Sequence, residues 1–161
     1  MAKAAERLVR LLTERSLYLA AAESCTAGLV ADALVQIPGA SGCFWGSFVC
    51  YTPQAKIQML GLGKETLNRY GLVSEETARA MAVGALERSG ADAAVSVTGL
   101  AGGGSAGAER VPPGTVWIAA ALRRDGPELC TAAVFHFKGR RNKVRQQAAR
   151  KALEMIIDFL G

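Results

Sequence analysis

The 161-residue chain carries one histidine, His136, and four cysteines, Cys25, Cys43, Cys50 and Cys130, with no C-x-x-C pair. A zinc site takes about four thiolate or imidazole ligands, usually in close pairs, so no metal site is expected. Disulfide frameworks belong to small exported domains that cannot bury a core, and this chain is long enough to bury one. The cysteines therefore read as reduced thiols. Aromatic residues make up 6% of the chain, so large rings do not build the core. No apolar run reaches the about 18 residues of a membrane span, and no membrane partner is expected. The stretch Met1 to Arg10 mixes apolar and charged residues and lacks the apolar heart of an export signal. The expected compartment is the cytoplasm.

What is present points to one folded domain over residues 1–161. Half of the chain is apolar and 20% is charged, which excludes disorder. Twenty-nine residues are alanine, a composition that suits helices lying close against a sheet. There are 19 basic and 14 acidic residues. Five of the basic ones, Lys138, Arg140, Arg141, Lys143 and Arg145, fall in one stretch that holds no acid. The net charge of +5 therefore sits in one segment and is not spread over the surface.

Lys3 to Glu14 has Leu8, Leu11 and Leu12 on one helical face. Leu17 to Ala22 reads as a buried strand. Cys25 to Gln36 reads as a helix closed by Pro38 and Gly39. Trp45 to Tyr51 is a second strand, and Thr52-Pro53 then signals a helix start. Lys64 to Tyr70 is a short helix ended by Gly71. Ser74 caps the next, with Glu75 and Glu76 in its first turn and a stripe of Ala78, Met81, Ala82, Ala85 and Leu86. Ala93 to Thr98 is a strand that enters a glycine-rich loop. Thr115 to Leu122 and Leu129 to Lys138 form a hairpin with Pro127 in its connection. A last helix carries Val144, Ala148, Ala152, Met155, Ile156 and Phe159 on one side. Helices alternating with strands, then a hairpin, predict an α/β fold with a mixed, partly antiparallel sheet covered on both faces.

Glu23-Ser24-Cys25-Thr26 stands at a strand-to-helix junction. A serine there serves either as a helix cap or as a group beside free first-turn N–H donors, which can stabilise an oxyanion. Cys25 is a rival nucleophile, since a helix N-terminus lowers a thiol pKa, or else a small buried residue. A nucleophilic serine needs a base. His136 lies opposite Phe135 and Phe137 on its strand, which argues against a Ser-His-Asp triad. Lysine is then the best base. Tyr51 and Lys56 can both reach the strand-end edge where Ser24 lies, although a half-buried tyrosine and a surface lysine would show the same spacing. A basic lysine needs its pKa lowered from about 10.4 to about 7–8, roughly 4 kcal/mol, which burial or a neighbouring cation can supply.

The loop Gly99-Leu100-Ala101-Gly102-Gly103-Gly104-Ser105-Ala106-Gly107 fits neither a dinucleotide nor a Walker pattern. It reads as a hairpin loop or as a backbone-lined wall, with the Thr98 hydroxyl at its root. The basic stretch opens the last helix, where the dipole disfavours cations. Arg141 and Arg145 share a helical face and suit a phosphate. A solvated helix start is the plainer reading. Nucleic acid is not expected, because the stretch is short and has no interleaved aromatic.

Several segments, taken in order, resemble the C-terminal domain of the CinA family. They are Ala22-Glu23-Ser24-Cys25-Thr26, Gly46-Ser47-Phe48-Val49-Cys50-Tyr51 with Ala55-Lys56, Val73-Ser74, and Ala93 to Gly99. Gly114-Thr115-Val116-Trp117-Ile118-Ala119 follows, then Gly139 with Arg141, Val144 and Arg145. The likeness covers nearly the whole chain, which is similar to the stand-alone PncC-type nicotinamide mononucleotide deamidases. The resemblance implies a three-layer α/β/α sandwich, often a homo-oligomer, with an amidohydrolase site that uses no metal or cofactor. The implied reaction turns nicotinamide mononucleotide and water into nicotinate mononucleotide and ammonia in pyridine-nucleotide salvage. It implies Ser24 as nucleophile, Lys56 as general base and Tyr51 in proton transfer or positioning. Thr98 and Arg141 would bind substrate, with Gly99 and Thr26 beside them.

Two expectations are added to the resemblance: Arg145 joins an anion site for the 5′-phosphate, and first-turn amides near Ser24 bind the oxyanion. Arg140 stands where the family often has an acid, and Pro53 where a polar residue is usual. The loop through Glu109-Arg110-Val111-Pro112 is not the commonest version. The N-terminal molybdopterin-like domain of longer CinA proteins does not occur in this sequence, so its activity is not expected. The alternative to an amidase is a catalytically silent nucleotide- or protein-binding module related to competence- and damage-inducible CinA.

Overall fold

Leu19–Glu23 forms strand β1, and all five of its residues are buried. A strand buried on both faces belongs at the centre of a sheet covered on both sides. The computed structural model describes residues 1–103, 111–124 and 126–161, and places β1 accordingly. The other strands are β2 (Phe44–Val49), β3 (Ala93–Gly99), β4 (Thr115–Arg124) and β5 (Gly126–His136). Their order is β2-β1-β3-β4-β5. β1 runs parallel to β2 and β3, while β3–β4 and β4–β5 are antiparallel. The sheet is mixed, as expected.

Alternation along the strands sends side chains into two separate cores. Leu19, Ala21, Val95, Val97 and Ile118 face helices α1 (Ala2–Glu14), α2 (Leu29–Val35) and α6 (Arg141–Leu160). Ala20, Ala22, Ala94, Ala119 and Ala121 face α3 (Pro53–Leu60), α4 (Lys64–Tyr70) and α5 (Glu75–Ser89). The second set is all alanine. It meets Ala78, Met81, Ala82 and Ala85 of α5, so that helix lies close on the sheet. Three layers, α/β/α, result.

Two helix starts follow their local chemistry. Thr52 accepts from the N–H of Ala55 and Pro53 takes the first turn of α3. Ser74 accepts from the N–H of Thr77 at the head of α5. Other boundaries differ from expectation. The helix expected over Cys25–Gln36 is shorter, because Ala27 (φ 49°) and Gly28 (φ 97°) are left-handed and delay α2 to Leu29. β1 begins two residues later than expected, after left-handed Ser16. β5 begins at Gly126, so Pro127 opens an edge strand, where a missing N–H is tolerated. The expected loop positions Gly104 to Gly107, Glu109 and Arg110 lie outside the described residues.

No described helix is long and apolar enough to cross a membrane. Among the described residues no group of three or more His, Cys, Asp or Glu side chains could hold a metal ion. All four cysteines are free thiols.

Candidate active site

Because β1, β2 and β3 are parallel, their carboxyl ends share one edge of the sheet, the usual place for a ligand crevice in such folds. Ser24 follows β1, Cys50-Tyr51 follows β2, and Thr98-Gly99 ends β3. The N–H of Cys50 donates to the Glu23 carbonyl and that of Ser24 to the Val97 carbonyl, each at 2.9 Å, which ties the three ends together. A cleft of about 180 Å³ opens there, with Ser24, Cys25, Tyr51, Thr98, Gly99 and Arg141 in its wall.

Lys56 is fully buried. Its Nζ lies 2.9 Å from Ser24 Oγ and donates to the Cys50 carbonyl at 2.9 Å. The lysine is aimed by two features of α3. The Thr52 cap fixes where the helix starts. Gly84 of α5 then lets the helix lie against its neighbour, since a Cβ there would sit 2.4 Å from the Leu60 carbonyl oxygen. The structure thus brings Ser24 and Lys56 into hydrogen-bond contact. Burial disfavours an ammonium and favours a neutral amine.

Glu23 is fully buried, and its importance was not read from the sequence. Its carboxylate accepts from the N–H groups of Gly28, Val30 and Ala31 and from the Ser47 hydroxyl, at 2.9–3.0 Å. The positive end of α2 is therefore neutralised from within. Glu23 takes the amides of Gly28, Val30 and Ala31, which lie beyond the Ser24 turn. The amides left at the site are those of Cys25 and Thr26, which have no oxygen acceptor among the described residues. An acid just ahead of a helix start was the available signal.

Cys25 matches the second of its two expected readings, a small buried residue. Burial, the largest effect, pushes its thiol up to about 11, against smaller lowering by its own backbone N–H and by Arg145. With the helix amides claimed by Glu23, desolvation decides, and the thiol stays protonated near neutrality.

The remaining expected residues divide. Tyr51 is half exposed, and its hydroxyl accepts from Arg141 Nη2 at 2.7 Å. Arg141 begins α6 and walls the cleft, with Gly102 close against it: a Cβ on Gly102 would lie 3.3 Å from Arg141 Cβ. Thr98 donates its hydroxyl to the Leu72 carbonyl at 2.7 Å, so toward the cleft its oxygen can only accept. Gly99 has no room for a Cβ, which would sit 2.8 Å from the Thr115 carbonyl oxygen. Thr26 is fully buried, and its Oγ1 has no partner among the described residues. Thr26 does not line the cleft, and neither does Arg145. Arg145 instead donates from Nε to the Cys25 carbonyl and from Nη2 to the Thr26 carbonyl, each at 2.9 Å. The expected phosphate contact does not match that placement. His136 is exposed, with Nδ1 3.3 Å from Thr115 Oγ1, and is not part of the cleft wall.

The model of the CinA C-terminal domain matches residues 1–160. The chain belongs to the CinA family. Two relatives named CinA-like protein support the assignment. The one from Akkermansia muciniphila is 46% identical over 147 residues, covering 91% of this chain and 34% of its own length. The one from Chlorobaculum tepidum is 47% identical over 152 residues, covering 92% and 36%. The chain thus spans about a third of the length of these curated CinA relatives. Among solved structures, the competence/damage inducible protein CihA from Agrobacterium tumefaciens is 42% identical with a TM-score of 0.89, covering 99% of this chain and 95% of that one. A CinA superfamily protein from Klebsiella pneumoniae is 32% identical with a TM-score of 0.90, covering 99% and 96%.

Proposed function

We propose that this CinA domain is an amidohydrolase that converts nicotinamide mononucleotide and water to nicotinate mononucleotide and ammonia. The observation that carries the reading is the 2.9 Å contact between Ser24 Oγ and the buried Lys56 Nζ at the cleft. A neutral amine that donates to the Cys50 carbonyl keeps its lone pair for the serine proton. Ser24 passes that proton to Lys56 as its oxygen bonds to the carboxamide carbon. The tetrahedral oxyanion takes up the N–H donors of Cys25 and Thr26. Lys56 returns the proton to the leaving nitrogen, the C–N bond breaks, and ammonia departs. Water then attacks the acyl-serine, Lys56 takes its proton, and Ser24 recovers it as nicotinate mononucleotide is released.

In this reading Tyr51 positions the reacting groups or relays a proton, and Arg141 binds the 5′-phosphate. Thr98 and Gly99 shape the wall that faces the pyridine. Nicotinamide mononucleotide fits because it joins a carboxamide to a dianionic phosphate, as the cleft joins a serine to an arginine.

The test is product analysis after incubation with nicotinamide mononucleotide. Nicotinate mononucleotide and ammonia in equal amounts support the reading. Tight calorimetric binding with no product would make the domain a silent nucleotide-binding module.

A further inference from the structure

Arg141 and Arg145 lie one helical turn apart on α6 and face different tasks. Arg141 reaches Tyr51 in the cleft wall. Arg145 lies behind the wall and spends its Nε and Nη2 on the carbonyls of Cys25 and Thr26, while Asn142 Oδ1 holds its Nη1 at 3.2 Å. We infer that Arg145 is a positioning residue that sets and polarises the Thr26 amide of the Ser24 turn, and does not bind the substrate phosphate. The inference rests on the proposed role of Ser24 as nucleophile.

In a trans peptide the C=O and the next N–H point in opposite directions. No cis peptide bond occurs among the described residues. The Thr26 carbonyl faces Arg145, so the Ala27 N–H must point away. It does so, and reaches the Ser24 carbonyl at 3.1 Å. By the same rule the Cys25 carbonyl facing Arg145 turns the Thr26 N–H away from α6. That N–H is one of the two left without an oxygen acceptor among the described residues.

The turn needs such a clamp. α2 begins only at Leu29, and left-handed Ala27 and Gly28 separate the turn from its ladder. Among the described residues the Thr26 carbonyl has one other donor, the Leu29 N–H at 3.3 Å. A guanidinium holds both carbonyls at once through its planar fork, which a lysine cannot do. Its charge also draws on both carbonyls, making the N–H groups of those peptides stronger donors. The effect grows when an oxyanion forms, so it acts on the transition state more than on bound substrate.

The experiment compares wild type, Arg145→Ala and Arg145→Lys. Each is assayed with nicotinamide mononucleotide and with its unphosphorylated riboside. The rate at which a fluorophosphonate labels Ser24 is read by mass spectrometry, and thermal unfolding is followed in parallel. Expected for Arg145→Ala is a fall in kcat of about 100-fold, the usual loss for one oxyanion donor. KM changes within about threefold for both substrates, labelling slows by a similar factor, and millimolar guanidinium restores part of the rate. Arg145→Lys recovers only a fraction.

A KM increase confined to the phosphorylated substrate would make Arg145 a phosphate ligand and overturn the inference. Labelling at equal rates in wild type and both variants would also overturn it, even if nicotinamide mononucleotide is not the substrate. If wild-type Ser24 is not labelled at all, the nucleophile reading falls and takes this inference with it.

Discussion

Lys56 Nζ and Ser24 Oγ, 32 residues apart in sequence, lie 2.9 Å apart in a buried contact. Ser24 hangs from the end of β1 and Lys56 from the end of the first turn of α3, so two independently placed elements converge on one hydrogen bond. A lysine kept wholly from water costs the fold free energy, and the proposed use for that cost is a base.

Replacing Lys56 by Met keeps most of its volume and removes the base. General base catalysis is worth about 10²–10⁴-fold, so kcat should fall about a thousandfold while KM stays within about threefold. Steady-state ammonia release measures both. Unchanged kcat would remove Lys56 from the chemistry.

Arg141→Ala should weaken binding of the phosphorylated substrate by about 10–100-fold, in line with the loss of a hydrogen bond to a charged group. The unphosphorylated riboside should lose less than about threefold by the same estimate. Calorimetry on the two ligands measures the difference. Equal losses on both would contradict a phosphate role.

Cys25 gives a pH prediction. Its folded pKa is raised from 9.0 to about 11. The folded state keeps the proton that the unfolded chain has already released, so the contribution of Cys25 is full below pH 9 and is lost as pH rises toward 11. Subtracting the denaturation free energies of Cys25→Ser from wild type across that window should show a decline of roughly 2–3 kcal/mol. A difference independent of pH would contradict the buried thiol.

Glu23→Ala would leave three N–H groups and the Ser47 hydroxyl without their acceptor. Unsatisfied buried donors cost about 1–3 kcal/mol each, partly relieved by water entry, so a net loss of roughly 3–5 kcal/mol is expected. For a domain of this size that lowers Tm by about 8–15 °C. Glu23→Gln should recover part of it. Thermal unfolding by circular dichroism reads the change, and an unaltered Tm would show that α2 does not depend on this carboxylate.

Local chemistry was readable in the sequence wherever a residue acts on its immediate neighbours. Thr52-Pro53 and Ser74 each cap the helix that follows, and the alanine content announced the close packing of α5 on the sheet. The start of α2 was not readable. Apolar spacing runs on from Cys25, and nothing in it signals two left-handed residues or a cap supplied by Glu23 from the preceding strand. The fate of Arg145 depends on how α6 crosses the Ser24 turn, a tertiary matter that a shared helical face cannot settle. Gly84 reads as a weak point inside a helix, and only the approach of Leu60 gives it a purpose.

The proposed chemistry begins with Ser24 attacking the carboxamide. Ammonia release from nicotinamide mononucleotide, measured side by side for wild type and folded Ser24→Ala, tests it most directly. Steady release by the first and none above background by the second are expected. A Ser24→Ala protein that releases ammonia at the wild-type rate would contradict it.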